Sequence, residues 1–446
     1  VPENTANGGA GGSTSGTSGS GHGGGTVANG GMEAGAGEAG AGEAGTGGAI
    51  TAPGPTHGLL AVAGTDPDKN TDVVSLIDPT TGAELARQTI NGASVTGLAY
   101  DGSDGKDVWY EFTSGEYPAA PTDKASLQVY AFTDATSTWK AVSSKPLTQL
   151  PPPRPNSFVV LNDRLAYLSY DISNNAPVAS LTVLDTSDPT AVKVLKDSTF
   201  TVSGEVLGLV GTRGVLGDPT APGGTLAVLI GSTCSGKTKA RACANVQILP
   251  VAVGDDVSQG VAVSFSATLV GQPAFTSAQT VAAGYVAFTL TPNDTVSLYN
   301  FDPRKPQTIG KASPANNAPW TGGLAYAECQ DVALFTGVGE QKLYAVTGDA
   351  QGGLNDEANL GHAGQSIVYE PYTQHAITLY NPNNAEFADN TTTSTSDAGS
   401  GTPSLDSFDV TNKAVLTPTA AASWKPPTNL APNIAVARFP LSFSCN

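Results

Sequence analysis

The sequence predicts an all-β fold, and three observations carry that prediction. From about His57 onward the chain consists of short apolar, β-branched and aromatic runs divided by Gly, Pro, Asn and Asp, without the apolar periodicity of an amphipathic helix. A run that ends in Asp and then turns recurs along it, as Ser75-Leu76-Ile77-Asp78, Leu181-Thr182-Val183-Leu184-Asp185, Leu298-Tyr299-Asn300-Phe301-Asp302 and Asp406-Ser407-Phe408-Asp409. Looser versions at 129–132, 246–249 and 343–346 bring the set to seven, spaced by roughly 45 to 65 residues. That spacing suits a four-stranded antiparallel blade with variable loops, so a seven-bladed β-propeller is expected, with six or eight blades as the alternatives.

Taken in order, residues 1–54 read as a glycine-rich arm and residues 55–446 as the propeller. Of the 53 glycines, 19 lie within residues 1–50. The near-repeat Glu33-Ala34-Gly35-Ala36-Gly37-Glu38-Ala39-Gly40-Ala41-Gly42 has almost nothing to bury, so alone it cannot offset the entropy of ordering its backbone. It reads either as a tether or as an arm that lies along a neighbouring subunit. In the second case Gly25, Thr26, Val27 and Ala28, or Ala49 and Ile50, would hydrogen-bond through the main chain.

The first blade offers runs at 59–63, 73–77 and 84–90 but no preceding inner strand. The orphan run 433–439 at the other end of the chain supplies it, so the C-terminal strand is expected to pair with blade 1 and close the ring. Blades 2, 3 and 4 read as 95–100, 108–112, 127–132 and 139–142; 158–161, 165–170, 181–184 and 192–195; and 206–210, 226–230, 246–249 and 261–265. Blade 6 shows no fourth strand, because 350–361 lacks alternation, and its outer edge is therefore expected to be covered by that loop or by a strand from another copy. Blade 7 reads as 367–369, 376–380, 405–408 and 414–416, with a long Asn/Thr/Ser insertion at 381–403.

The phrase Val73-Val74-Ser75-Leu76-Ile77-Asp78-Pro79-Thr80-Thr81-Gly82-Ala83-Glu84-Leu85 resembles the strand–turn–strand signature of secreted bacterial seven-bladed propellers of the YVTN and lactonase-like kind. The resemblance covers one blade well and the others loosely. It implies a fold and no particular activity, since those families hold surface-layer, adhesive and enzymatic members.

Charge narrows the partners. With 21 Lys plus Arg against 39 Asp plus Glu, the net charge of −18 argues against nucleic acid and anionic membrane surfaces. No apolar run approaches the roughly 20 residues that cross a bilayer. Cys234, Cys243, Cys329 and Cys445 are an even set without a CxxC pair, which suits disulfides in an oxidising compartment. Cys234 and Cys243 are close enough to close a small loop, and the pairing of Cys329 and Cys445 is left open. A chain that starts at Val1 with a polar stretch reads as a processed secreted protein, placed outside a bacterial cell or on its surface.

Chemistry is sparse. Gly231-Ser232-Thr233-Cys234-Ser235-Gly236-Lys237-Thr238 matches a phosphate-loop pattern, but another strand follows too soon for the helix such a loop must open. A disulfide-tied hairpin is expected there. Asp66, Asp68, Asn70 and Asp72 place oxygens at alternate positions as half of a calcium loop does, yet Thr71 stands where Gly is wanted; a polar turn is the first reading and calcium the second. His22, His57, His362 and His375 have no recognisable nucleophile partner in the sequence, so no catalytic residue and no cofactor are assigned. The expected function is a secreted structural subunit of a filament or surface layer that self-associates through its arm. The alternatives are a tethered propeller that binds a surface glycan or protein and, third, a propeller enzyme.

Overall fold

The computed structural model describes residues 57–439 except 103–104, 115–123, 135, 162, 172–177, 201–204, 213–224, 236–241, 254–256, 266–268, 276–284, 291–294, 301–306, 313–320, 328, 331, 338–340, 348–355, 363, 383–401, 413–416 and 425–429. Its ordered elements are strands. They form antiparallel sheets that follow the chain in order, a β-propeller. The first sheet holds β1 (Leu60–Asp66), β2 (Thr71–Ile77) and β3 (Glu84–Ile90), together with the last strand of the chain, β30 (Ala431–Ala437), in the order β3-β2-β1-β30. The second holds β4 (Ser94–Asp101), β5 (Val108–Ser114), β6 (Ala125–Thr133), β7 (Thr138–Ala141) and β8 (Leu147–Leu150). The third holds β9 (Pro153–Leu161), β10 (Arg164–Asp171), β11 (Val178–Asp185) and β12 (Lys193–Phe200).

The fourth sheet has nine strands: β13 (Glu205–Thr212), β14 (Thr225–Ser235), β15 (Ala242–Val253), β16 (Val257–Gln259), β17 (Val263–Phe265), β18 (Leu269–Phe275), β19 (Tyr285–Leu290), β20 (Thr295–Asn300) and β21 (Gln307–Ala312). The fifth comprises β22 (Thr321–Ala327), β23 (Val332–Gly337), β24 (Lys342–Thr347) and β25 (Asp356–Asn359), and the sixth β26 (Ser366–Glu370), β27 (His375–Tyr380), β28 (Ser404–Asp409) and β29 (Thr417–Trp424).

Six sheets therefore stand where seven blades are expected. The long β15 carries its pairing past its own outer strands, and Ala242 and Cys243 pair with Val270 and Leu269 of β18, merging two sets of strands. Around the axis the packing circuit runs β30, β4, β9, β13, β18, β22, β26 and back to β30. The expected closure is present, with Leu60 opposite Ala437 and Thr65 opposite Ala431, and the Arg438 N–H donating to Leu59 O at 2.7 Å. Both edges of β1 are thus paired, by β2 and β30, and an exposed sheet edge is removed.

The outer edges of the fifth and second sheets differ from expectation. The fifth sheet does have a fourth strand, β25, whose Asp-Glu-Ala-Asn sequence lacks strand character but pairs with β24 from Lys342↔Asn359 to Ala345↔Asp356. A strand from another copy is not needed to cover β24. The outermost strand of the sixth sheet is β29, and the expected run 414–416 lies outside the described residues. The second sheet gains β8, which pairs with β6 beyond the reach of β7.

Alternation along the strands builds the cores between sheets. On β5, Tyr110 and Phe112 face the third sheet and pack with Phe158 and Tyr167, while Trp109 faces the first sheet with Tyr100 and Phe132. All of these side chains are at least nine-tenths buried. Gly97 on β4 makes the inner contact close, since a Cβ there would stand 2.1 Å from the Phe158 ring.

Candidate functional site

The richest concentration of polar side chains lies where the inner strands turn into the second strand of each sheet. Arg438 immediately follows β30 and is fully buried. Its Nε donates to Asp107 Oδ1 at 3.1 Å and its Nη2 to Asp107 Oδ2 at 2.7 Å, a two-point pairing of planar groups. Its Nη1 donates to the carbonyl of His57 at 3.2 Å, and Asp134 lies 3.5 Å from Nη2. Tyr100 OH also donates to Asp107 Oδ1, at 3.0 Å. One guanidinium therefore ties the closing strand to the start of β1 and to two turns of the second sheet.

The bonding continues to either side. Lys106 pairs with Asp163 of the third sheet and stands 3.5 Å from the fully buried Asp101, to which Tyr110 OH donates at 3.5 Å. In the other direction, Tyr369 OH donates to Gln330 Oε1 at 3.0 Å, and Gln330 Nε2 donates to Gln374 Oε1 at 2.7 Å, joining the fifth and sixth sheets. Glu370 accepts from the N–H groups of Tyr372 and Thr373 at 3.1 and 2.7 Å. A Cβ on Gly58 would come 2.4 Å from Glu370 Oε1, so the chain entering β1 is fitted against that carboxylate.

Burial dominates the electrostatics here. It pushes the Tyr100 hydroxyl far above its usual value, with Asp107 adding and Arg438 opposing, and pushes Tyr372 up to about 12. Burial also raises Glu370 against the lowering effect of its hydrogen bonds. Asp107 is the acceptor that fastens Arg438 and Tyr100 together, and Glu370 the acceptor that holds its own turn, which are structural duties.

A second constellation joins residues that the sequence reading left separate. His362 precedes β26, and its Nε2 meets Asp406 Oδ2 and, at 2.9 Å, Ser404 Oγ, both on β28. Ser404 Oγ also donates to Asp406 at 3.2 Å, and the His362 ring stacks on Tyr380 with centroids 4.6 Å apart. A nucleophile relay needs serine and carboxylate on opposite ring nitrogens; here both meet the same one. The cluster ties the chain before β26 to β28. Asp406→Ala is expected to cost about 1–2 kcal/mol, read from the urea midpoint, because it removes the charged acceptor from a largely buried histidine.

The remaining sequence-marked residues fall as follows. Asp66 Oδ1 accepts from the N–H groups of Asp68 and Lys69 at 3.1 and 3.3 Å, and its Oδ2 lies 3.4 Å from Lys69 and 3.7 Å from Arg87. Asp72 turns instead to Thr65 and to the Val95 N–H, at 3.2 and 2.9 Å, and Asp68 and Asn70 are exposed. The four do not converge, and among the described residues no group of three His, Cys, Asp or Glu could hold a metal ion.

Cys234 and Cys243 stand opposite each other on β14 and β15, in a hairpin where the phosphate-loop pattern would require a helix. Cys243 and Cys329 are each in a disulfide. Cys445 and the arm residues Gly25, Thr26, Val27, Ala28, Ala49 and Ile50 lie outside the described residues, as does His22. His57 lies 3.4 Å from Asp134, and His375 Nδ1 lies 3.0 Å from Ser407 Oγ, with burial lowering its basicity. Among the described residues no helix is long and apolar enough to cross a membrane.

The sequence offers Asp107 only as part of an acidic turn with Asp101 and Asp104, similar to the one at Asp66, and Arg438 only as a member of the closing run; their pairing is not visible in it. The only available signal is that Arg438 is the sole charged residue of 430–440.

No family model matches the sequence, and no curated protein matches it. Solved structures do. A putative 6-phosphogluconolactonase from Bacteroides uniformis aligns at a TM-score of 0.54 and 11% identity over 86% of this chain and 100% of its own. The periplasmic gluconolactonase of Pseudomonas aeruginosa aligns at 0.53 and 11%, over 85% and 99%. A protein from Lactobacillus plantarum aligns at 0.50 and 11%, over 86% and 99%. The likeness is one of fold. At this identity it carries no residue roles across.

Proposed function

We propose that this chain is a secreted structural subunit, a closed propeller ring that assembles into an extracellular filament or surface layer, with its glycine-rich arm contacting a neighbouring ring. The observation that supports this reading is the use made of the buried polar groups. Asp107, Arg438, Lys106, Asp101, Gln330 and Gln374 fasten turns of successive sheets to one another, which gives a stiff ring. The disulfides at Cys243 and Cys329 suit an oxidising compartment, and the register of Cys234 with Cys243 suits a bond between those two. The nine-stranded sheet is read as two blades bridged at Cys243, because β13 and β18 both take places in the inner circuit; the ring then has seven blades.

Deletion of residues 1–54 is expected to leave a folded, monodisperse ring that no longer assembles, as seen by light scattering and electron microscopy. Polymerisation equal to that of the full chain would overturn the reading. A second reading, hydrolysis of a sugar lactone, draws on the two fold neighbours that bear lactonase names. Its test is lactone turnover by the full chain above the spontaneous rate, which the structural reading expects to be absent.

A further inference from the structure

The face of the second sheet turned toward the first carries a carboxyl without a counter-charge. Glu111 on β5 is only 3% exposed, and its Oε2 has no hydrogen-bond partner. Three more buried polar atoms of the same joint are orphaned: Gln88 Oε1 on β3, Trp109 Nε1 on β5 and Trp139 Nε1 on β7. They belong to one neighbourhood. Register sets Trp109 opposite Tyr130 and Phe132 opposite Trp139, while Gln88 Nε2 crosses the joint to donate to Tyr130 OH at 2.6 Å. The Trp139 ring stands 5.3 Å from Tyr130 and 6.1 Å from Trp109.

The titratable and charged groups that face this joint are few. Tyr130 comes from β6 and Asp72 from β2, where it is held by the Val95 N–H of β4. Tyr100, Asp107 and Arg438 lie at the far end, already bonded to one another. Among the described residues no cation meets Glu111, and burial pushes it up to about 7. Four buried polar atoms without a protein partner, two donors and two acceptors, are a set that water can satisfy.

We propose that the joint between the first and second sheets is a pH-responsive hinge: loss of the Glu111 proton draws water in to hydrate the carboxylate and loosens β3 from β7. The direction follows from linkage. The folded chain keeps this proton at pH values where the unfolded chain has released it, so the group's contribution is fully present below about pH 4.5 and is lost as pH rises through about 7. Because the first sheet is also the one that closes the ring, the loosening acts beside the closure.

Two of the four tryptophans lie in this joint and report on it. Tryptophan emission and acrylamide quenching of the full chain are to be followed from about pH 5.5 to 8.5, with amide exchange measured at β3 and β7. The expected result is a red shift and stronger quenching with a midpoint near pH 7, and, once the intrinsic base catalysis of amide exchange is divided out, a roughly tenfold loss of protection at β3 and β7 on the alkaline side. Glu111→Gln, which keeps the shape and removes the charge, should be flat across the range. A wild-type chain without the transition, or a Glu111→Gln chain that keeps it, overturns the proposal.

Discussion

Asp107→Ala is expected to lower the stability of the ring by about 3 kcal/mol, seen as a fall in the denaturation midpoint with an unchanged slope. The variant leaves the fully buried Arg438 guanidinium without its two-point partner and takes from Tyr100 its acceptor. What remains is the His57 carbonyl and the more distant Asp134, 3.5 Å away and 41% exposed. Arg438→Met should cost less. It removes the buried charge along with the pairing, keeps an apolar stem in the same space, and leaves Asp107, 28% exposed, to water. If the two variants rank the other way, Arg438 acts by its packing and the ion pair is secondary.

Gly64→Ala carries a comparable penalty, about 3 kcal/mol, through a different mechanism. At this position β1 shifts register against the closing strand, with Ala63 opposite Ile434 but Gly64 opposite Pro432. A Cβ on Gly64 would lie 2.2 Å from the backbone oxygen of Ala431 and 2.9 Å from Leu430 Cδ1. Backbone cannot rotate aside as a side-chain tip can, so the closing strand must move. Faster amide exchange confined to β30 and β1 is the expected signature. Gly92→Ala is the control: a Cβ there meets nothing within 4 Å, and its φ of +68° alone should cost about 1 kcal/mol. Equal effects at the two glycines would contradict the steric account.

Much of the fold is legible in the sequence because a propeller blade is local. Within β1 to β3 each strand pairs with one a few residues away, and the near-continuous apolar run Val73-Val74-Ser75-Leu76-Ile77 marks a strand buried on both faces. Even the ring closure is legible, since a strand without a blade at one end matches a blade without a strand at the other. Where the local pattern is weak, reading fails. The β25 sequence has poor strand character and is held by its partner, with Lys342 pairing to Glu357 across the strands. The bridge at Cys243 that merges two sets of strands leaves no mark in composition.

The candidate sites divide in the same way. The Asp66 turn is visible as a cluster of oxygens, but their destinations are not: Asp66 turns onto its own backbone and Asp72 crosses to the next sheet. The His362 clamp joins residues 42 and 44 apart, and the Arg438 latch joins residues 331 apart. No spacing rule reaches that far.

By itself the sequence determined that this is an all-β propeller, closed by its last strand, acidic, and preceded by a chain segment with almost nothing to bury. The tertiary structure alone decided the number of sheets, which edges are covered, the partners of Arg438 and His362, and the burial of Glu111. The physical reason is distance along the chain. Strand formation is set by alternation and turn chemistry within a few residues, whereas the pairing of a buried charge depends on which distant turn the closed ring brings against it.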